Sequence, residues 1–81
     1  MPPVVVKVES VNELKKFIAL GYNEYFISFG CARSSKFITL ESDDKFYVLN
    51  YIDSTEEYMT EQELIESNIG EAIQKGIFYA W

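Results

Sequence analysis

Histidine is missing from this sequence. The side chain that most often acts as a general base near neutral pH, and most often ligates a transition metal, is therefore absent from any site the chain builds. Cysteine occurs once, as Cys31, which excludes an internal disulfide and any zinc site made from paired cysteines. The four glycines are scattered, so there is neither a phosphate-cradling loop nor a dinucleotide-binding fingerprint. Cations are scarce: seven lysine and arginine residues stand against thirteen aspartates and glutamates, a net charge of −6. Long apolar runs are missing too. "VVVKV" (4–8) is far too short to cross a bilayer. Nothing at the N-terminus has the charged, apolar, then small-residue pattern of a signal peptide. The expected setting is the reducing cytoplasm, where a lone thiol is ordinary, with no membrane partner.

Aromatic residues, by contrast, are plentiful: six Phe, six Tyr and Trp81 among 81 residues, 48% of which are apolar. A chain of this length makes one domain (residues 1–81), and it can bury enough apolar surface to offset its lost entropy. The charge is unevenly placed. Residues 1–40 carry five basic and three acidic groups (+2), and residues 41–81 carry two basic and ten acidic groups (−8). Such a field repels nucleic acid and favours cationic partners.

The pattern along the chain predicts an α+β domain. "VVVKV" is β-branched and reads as a strand. "SVNELKKFIALG" (10–21) reads as a helix: Ser10 and Glu13 have capping-box spacing, Val11, Leu14, Phe17 and Ile18 share a face, and Gly21 suits the end. Three strands follow, "EYFISFGCA" (24–32), "KFITLE" (36–41) and "KFYVLNYI" (45–52), with turn chemistry at 42–44. On the first of these, Tyr25, Ile27, Phe29 and Cys31 point one way. Phe26, Ser28, Gly30 and Ala32 form a smaller set on the other face, which suggests the close approach of a helix there. "DSTEEY" (53–58) is a polar connector with a short strand at its end. "TEQELIES" (60–67) has Thr60 and Glu63 in a second capping box, and "NIGEAIQKG" (68–76) reads as a further helix bracketed by Asn68 and Glu71. "IFYAW" (77–81) is a final edge strand or a packed tail. The whole is a small antiparallel β-meander packed with one N-terminal helix and one or two C-terminal helices.

Catalytic constellations are thin. "DSTEEYMTEQEL" (53–64) fails as an EF-hand loop, because Tyr58 and Leu64 occupy the positions that need Gly and Glu. Asp53, Glu56 and Glu57 could in principle do acid–base work, but nothing signals the pocket that would raise one carboxyl's pKa, so they read as a solvated connector. Cys31 lacks a histidine to activate it and reads as a buried, inert thiol. The turn formed by Arg33, Ser34, Ser35 and Lys36 is the one basic cluster beside a sheet. Its hydroxyls and cations would suit phosphate or a partner's carboxylate, against the plainer reading of a polar strand connection.

Three stretches, "RSSKFI" (33–38), "FYVLNYIDSTEEYMTEQEL" (46–64) and "NIGEAIQKG" (68–76), together resemble a group of small uncharacterised proteins of phages and mobile elements of Gram-positive bacteria. The resemblance covers roughly residues 26–80 and carries no catalytic motif. It implies an accessory protein that acts on a larger host or mobile-element protein, including nucleic-acid-handling or defence enzymes.

The expectation is accordingly a non-enzymatic inhibitor or modulator without cofactor or metal, whose acidic, aromatic surface comprises Glu56, Glu57, Tyr58, Glu61, Glu63 and Glu66. Such acids could occupy a partner's cationic groove and imitate nucleic acid. The alternative is a single-stranded nucleic-acid-binding module that uses Arg33, Lys36 and the sheet tyrosines, which the overall charge opposes. Self-association through an edge strand, "VVVKV" or "IFYAW", is a further possibility.

Overall fold

The structure, a computed structural model, describes residues 2–41 and 43–81, with the backbone alone for Glu71. Ser42 of the expected 42–44 turn, and the Glu71 side chain of the expected cap, lie outside the described residues. Among the described residues six strands and three helices follow one another: β1 (Val4–Val6), α1 (Val11–Ala19), β2 (Glu24–Ser28), β3 (Lys36–Leu40), β4 (Phe46–Asn50), β5 (Glu56–Met59), α2 (Glu61–Glu66), α3 (Asn68–Ala72) and β6 (Ile77–Ala80). Short 3₁₀ turns occupy Ala32–Ser34 and Ile73–Lys75. This is the α+β architecture that the periodicity predicts.

The helix ends are set by local chemistry. At α1 the Ser10 hydroxyl accepts the Glu13 N–H at 3.3 Å. Glu13 spends its carboxylate on Lys16 Nζ, 3.1 Å away, instead of closing the expected box. The other end closes as a Schellman motif: Gly21 N–H donates to the Ile18 carbonyl and Tyr22 N–H to the Phe17 carbonyl. Gly21 takes φ +103°, which a side chain would strain. The Phe17 and Tyr22 rings then meet edge-on with centroids 6.2 Å apart. At α2 the capping box is complete: Thr60 Oγ1 accepts the Glu63 N–H, and Glu63 Oε1 accepts the Thr60 N–H, both at 3.2 Å. The cap of α3 is Ser67, whose hydroxyl accepts the Ile69 N–H, and not Asn68 as the spacing suggests. Ser67 wins because the chain turns extended there (ψ 170°), one residue earlier than expected.

The strands form one antiparallel sheet in the order β1-β6-β2-β3-β4-β5. The meander runs from β2 to β5. The chain then crosses back through α2 and α3 so that β6 enters between β1 and β2. "IFYAW" is thus an interior strand and not an edge, which removes it as a pairing edge. The edges are β1 and β5.

All three helices lie on one face of this sheet. Val11 and Leu14 of α1, Leu64 of α2, Ile69 of α3 and Ile73 join Tyr25, Ile27, Ile38, Phe46, Val48, Phe78 and Ala80 in a single core. Each fully buried side chain of Leu, Ile or Phe size in it contributes roughly 1.5–3 kcal/mol. The helices therefore cover the Tyr25–Ile27 side of β2, the opposite of the expectation drawn from the small residues of its other face. The reason is that β2 ends at Ser28, so Gly30 and Ala32 never join a strand face. Cys31, expected in the interior, is exposed for the same reason: the chain bends at Gly30 (φ +78°) and leaves the sheet.

Candidate functional site

Alternation along the strands puts every second residue on the face away from the helices. The cross-strand register lines these residues up. Val5 lies opposite Tyr79, Tyr79 opposite Phe26, Phe26 opposite Phe37, Phe37 opposite Leu49, and Leu49 opposite Glu56. One row thus crosses all six strands, and five of its six side chains are apolar or aromatic. Phe26 and Phe37 have ring centroids 4.7 Å apart, and Tyr79 stands 6.3 Å from Phe26. Tyr51, just past β4, lies over both phenylalanines at 5.5 and 6.0 Å. A second row runs Glu24, Thr39, Tyr47, Tyr58, in which the two tyrosine rings are 5.2 Å apart.

Among the described residues no helix covers this face. Phe26, Phe37, Leu49 and Tyr79 are half-buried, whereas Val5 is 68% exposed, Tyr58 61% and Tyr51 51%. The strand positions of the face include Glu24 and Glu56 and neither lysine nor arginine. The Tyr47 hydroxyl donates to Glu56 Oε1 at 2.8 Å, and this bond holds the phenol's pKa above its ordinary value. The surface is therefore an aromatic platform with an acidic rim.

The six residues expected to form an acidic surface are divided by the fold. Glu56 and Tyr58 belong to the platform. Glu57 alternates to the other side of β5, where it lines a recess of about 190 Å³ with Lys36, Asn50 and Asn68. Glu61 is paired with Lys15 Nζ at 2.8 Å, clamping α2 to α1. Glu63 is occupied by the cap, whose N–H and hydroxyl contacts hold its pKa below the usual value. Glu66 accepts from Gln62 Nε2 at 2.9 Å. Periodicity within one segment cannot tell which acids a neighbouring helix or cap will engage.

The basic turn is also divided. Ser35 is buried, and its hydroxyl donates to the Cys31 carbonyl at 3.3 Å, so it serves the turn itself. Arg33, Ser34 and Lys36 line a cleft of about 410 Å³ on the helix side, together with Phe29, Asn68 and Lys75. The sheet aromatics and the basic turn, which a nucleic-acid-binding reading needs together, thus serve different surfaces. Sequence reasoning missed Phe26, Phe37 and Tyr79 as surface residues. The alternation that identifies them was visible, but which face the helices choose was not.

Among the described residues no group of three Asp, Glu or Cys side chains gathers as a metal site would need, and no helix is long and apolar enough to cross a membrane. Comparison with protein-family models, curated proteins and solved structures finds no match to the chain.

Proposed function

We propose that the protein is a non-enzymatic interaction module that binds a larger protein through the uncovered face of its sheet. The observation that carries this reading is the row Val5, Tyr79, Phe26, Phe37 and Leu49, capped by Tyr51 and left open by all three helices. Contiguous exposed apolar surface of this kind marks an interaction site on small proteins, and tyrosine and phenylalanine are favoured anchors of such sites. The rim specifies the occupant. Glu24 and Glu56 on the face would meet their own kind in a second copy of the chain. They complement a partner with an apolar centre and a basic border. The resemblance to small proteins of phages and mobile elements suggests a host or mobile-element protein as that partner, inhibited or redirected when its surface is covered.

The test is affinity capture with the wild type, with Phe37→Ser plus Tyr51→Ser, and with Gln74→Ser as a distant control, followed by calorimetry on the captured protein at about 50 and 300 mM salt. Loss of the partner with the double variant alone, and binding at least about tenfold weaker at the higher salt, support the reading. Capture unchanged by the double variant overturns it, as does a wild type that light scattering finds dimeric and the double variant monomeric.

A further inference from the structure

We infer that the cleft between the Ala32–Ser34 turn and α3 binds a small phosphate monoester carried on an apolar or aromatic body, independently of the sheet platform. Three cations reach this cleft from three places in the chain: Arg33 from the turn, Lys36 from the start of β3 and Lys75 from the turn before β6. Of the four lysines elsewhere, three are paired locally, Lys7 with Glu9, Lys15 with Glu61 and Lys16 with Glu13. On a chain of net charge −6, the gathering of three of its seven basic residues at one cleft is the sharpest local reversal of sign. Among the described residues no carboxylate lines it.

The neutral lining narrows the ligand. Ser34 supplies a hydroxyl and Asn68 an amide at the mouth, both exposed. The guanidinium of Arg33 offers parallel N–H donors that match two phosphate oxygens, and the two ammonium groups add point charge. Phe29, Ile69 and Ala72 form an apolar floor. A bare phosphate would leave that floor empty. A volume of about 410 Å³ lies at the small end of the range for metabolite sites, enough for one ring system with its phosphate. The shared chemistry is therefore that of a nucleoside monophosphate or a similarly sized phosphorylated ring.

The experiment is a titration of the ¹⁵N-labelled chain, followed by its amide shifts, with adenosine monophosphate, with adenosine and with inorganic phosphate at constant ionic strength. The expected result is saturable shifts confined to Arg33–Lys36, Asn68–Ala72 and Lys75, with a Kd for the monophosphate below about 1 mM and at least about tenfold weaker binding in the other two arms. Arg33→Ala and Lys75→Ala, at exposed positions that leave the remaining spectrum unchanged, should each weaken the monophosphate at least about fivefold. The inference is overturned if the monophosphate gives no saturable shift, if shifts fall outside the cleft, if inorganic phosphate binds as well, or if both variants bind like the wild type.

Discussion

Tyr25→Phe is the perturbation that reports most cleanly on how the helical layer is fastened to the sheet. Tyr25 sits in the middle of the core with no exposed surface. Its hydroxyl proton is shared between the carbonyl of Leu14 in α1, 3.1 Å away, and that of Tyr22, the residue that closes the Schellman turn. Phenylalanine keeps the ring and its burial and deletes only this tie. Losing a buried hydrogen bond while leaving its acceptors in place costs about 1–2 kcal/mol. In a domain this small that corresponds to a fall in Tm of roughly 5–15 °C. A pH signature accompanies it. Burial pushes the Tyr25 phenol well above its ordinary value of 10.0. The folded state thus holds the proton that the unfolded state releases first. The stabilisation is fully present below pH 10 and is lost as pH rises from there toward the folded value. Thermal melts by circular dichroism from about pH 7 to 11, with phenolate absorbance at 295 nm, read both effects. The wild type should keep one tyrosine protonated until it unfolds, and the variant should lose that share of the alkaline slope. A variant that melts within about 2 °C of the wild type at neutral pH would refute the reasoning. So would six tyrosines all ionising near pH 10 in protein whose far-ultraviolet spectrum is still native.

Gly70→Ala should destabilise far more than Gly21→Ala. A Cβ at Gly70 would lie 2.2 Å from the Ile65 carbonyl oxygen, a backbone atom that cannot step aside, whereas at Gly21 nothing lies within 4 Å and only the positive φ resists. Urea midpoints should place the Gly21 variant about 1 kcal/mol below wild type and the Gly70 variant at least about 2 kcal/mol below; the reverse order would contradict the packing of α3 on α2. Thr60→Ala should cost about 1 kcal/mol by the same assay, as the loss of an N-cap does. The lowered pKa values of Glu63, held by the Thr60 amide, and of Asp53, held by Thr55, both favour the ionised form in the fold. Wild-type stability should therefore be level above pH 4.5 and fall with acid below it, less steeply in the Thr60 variant; an equal acid slope would remove the cap from the account. Cys31 should react stoichiometrically with a thiol reagent in the native state at the rate of an exposed cysteine, and protection until unfolding would show that the Gly30 bend is misplaced.

Elements with a strong local signal were legible in the sequence. The helix at Val11–Ala19, the capping box at Thr60 and Glu63 and the strands at Phe37 and Val48 follow from periodicity and capping chemistry alone. Long-range choices were not. "IFYAW" reads the same whether it borders the sheet or enters between β1 and β2, because a strand's own residues do not record its neighbours. Cys31 continues the alternation of β2 on paper, yet Gly30 turns the chain out of the sheet before it. The platform shows the limit most clearly. Phe26 and Tyr25 are adjacent aromatic residues, and only the side chosen by α1, α2 and α3 makes one core and the other surface. The same holds for the cleft: Lys75 stands far from Arg33 in sequence, and the crossing through α3 brings them to one lining.

The division of the aromatic residues between an interior and an uncovered face is what the functional reading stands on. Its most direct test is the set of aromatic ¹³C shifts of the phenylalanines and tyrosines, recorded with and without the protein that the wild type captures. Shifts at Phe26, Phe37, Tyr51 and Tyr79, with Tyr25, Phe46 and Phe78 unmoved, are the expected result. Perturbation confined to Phe29 at the basic cleft, or to Phe17 and Tyr22 at the end of α1, would contradict it.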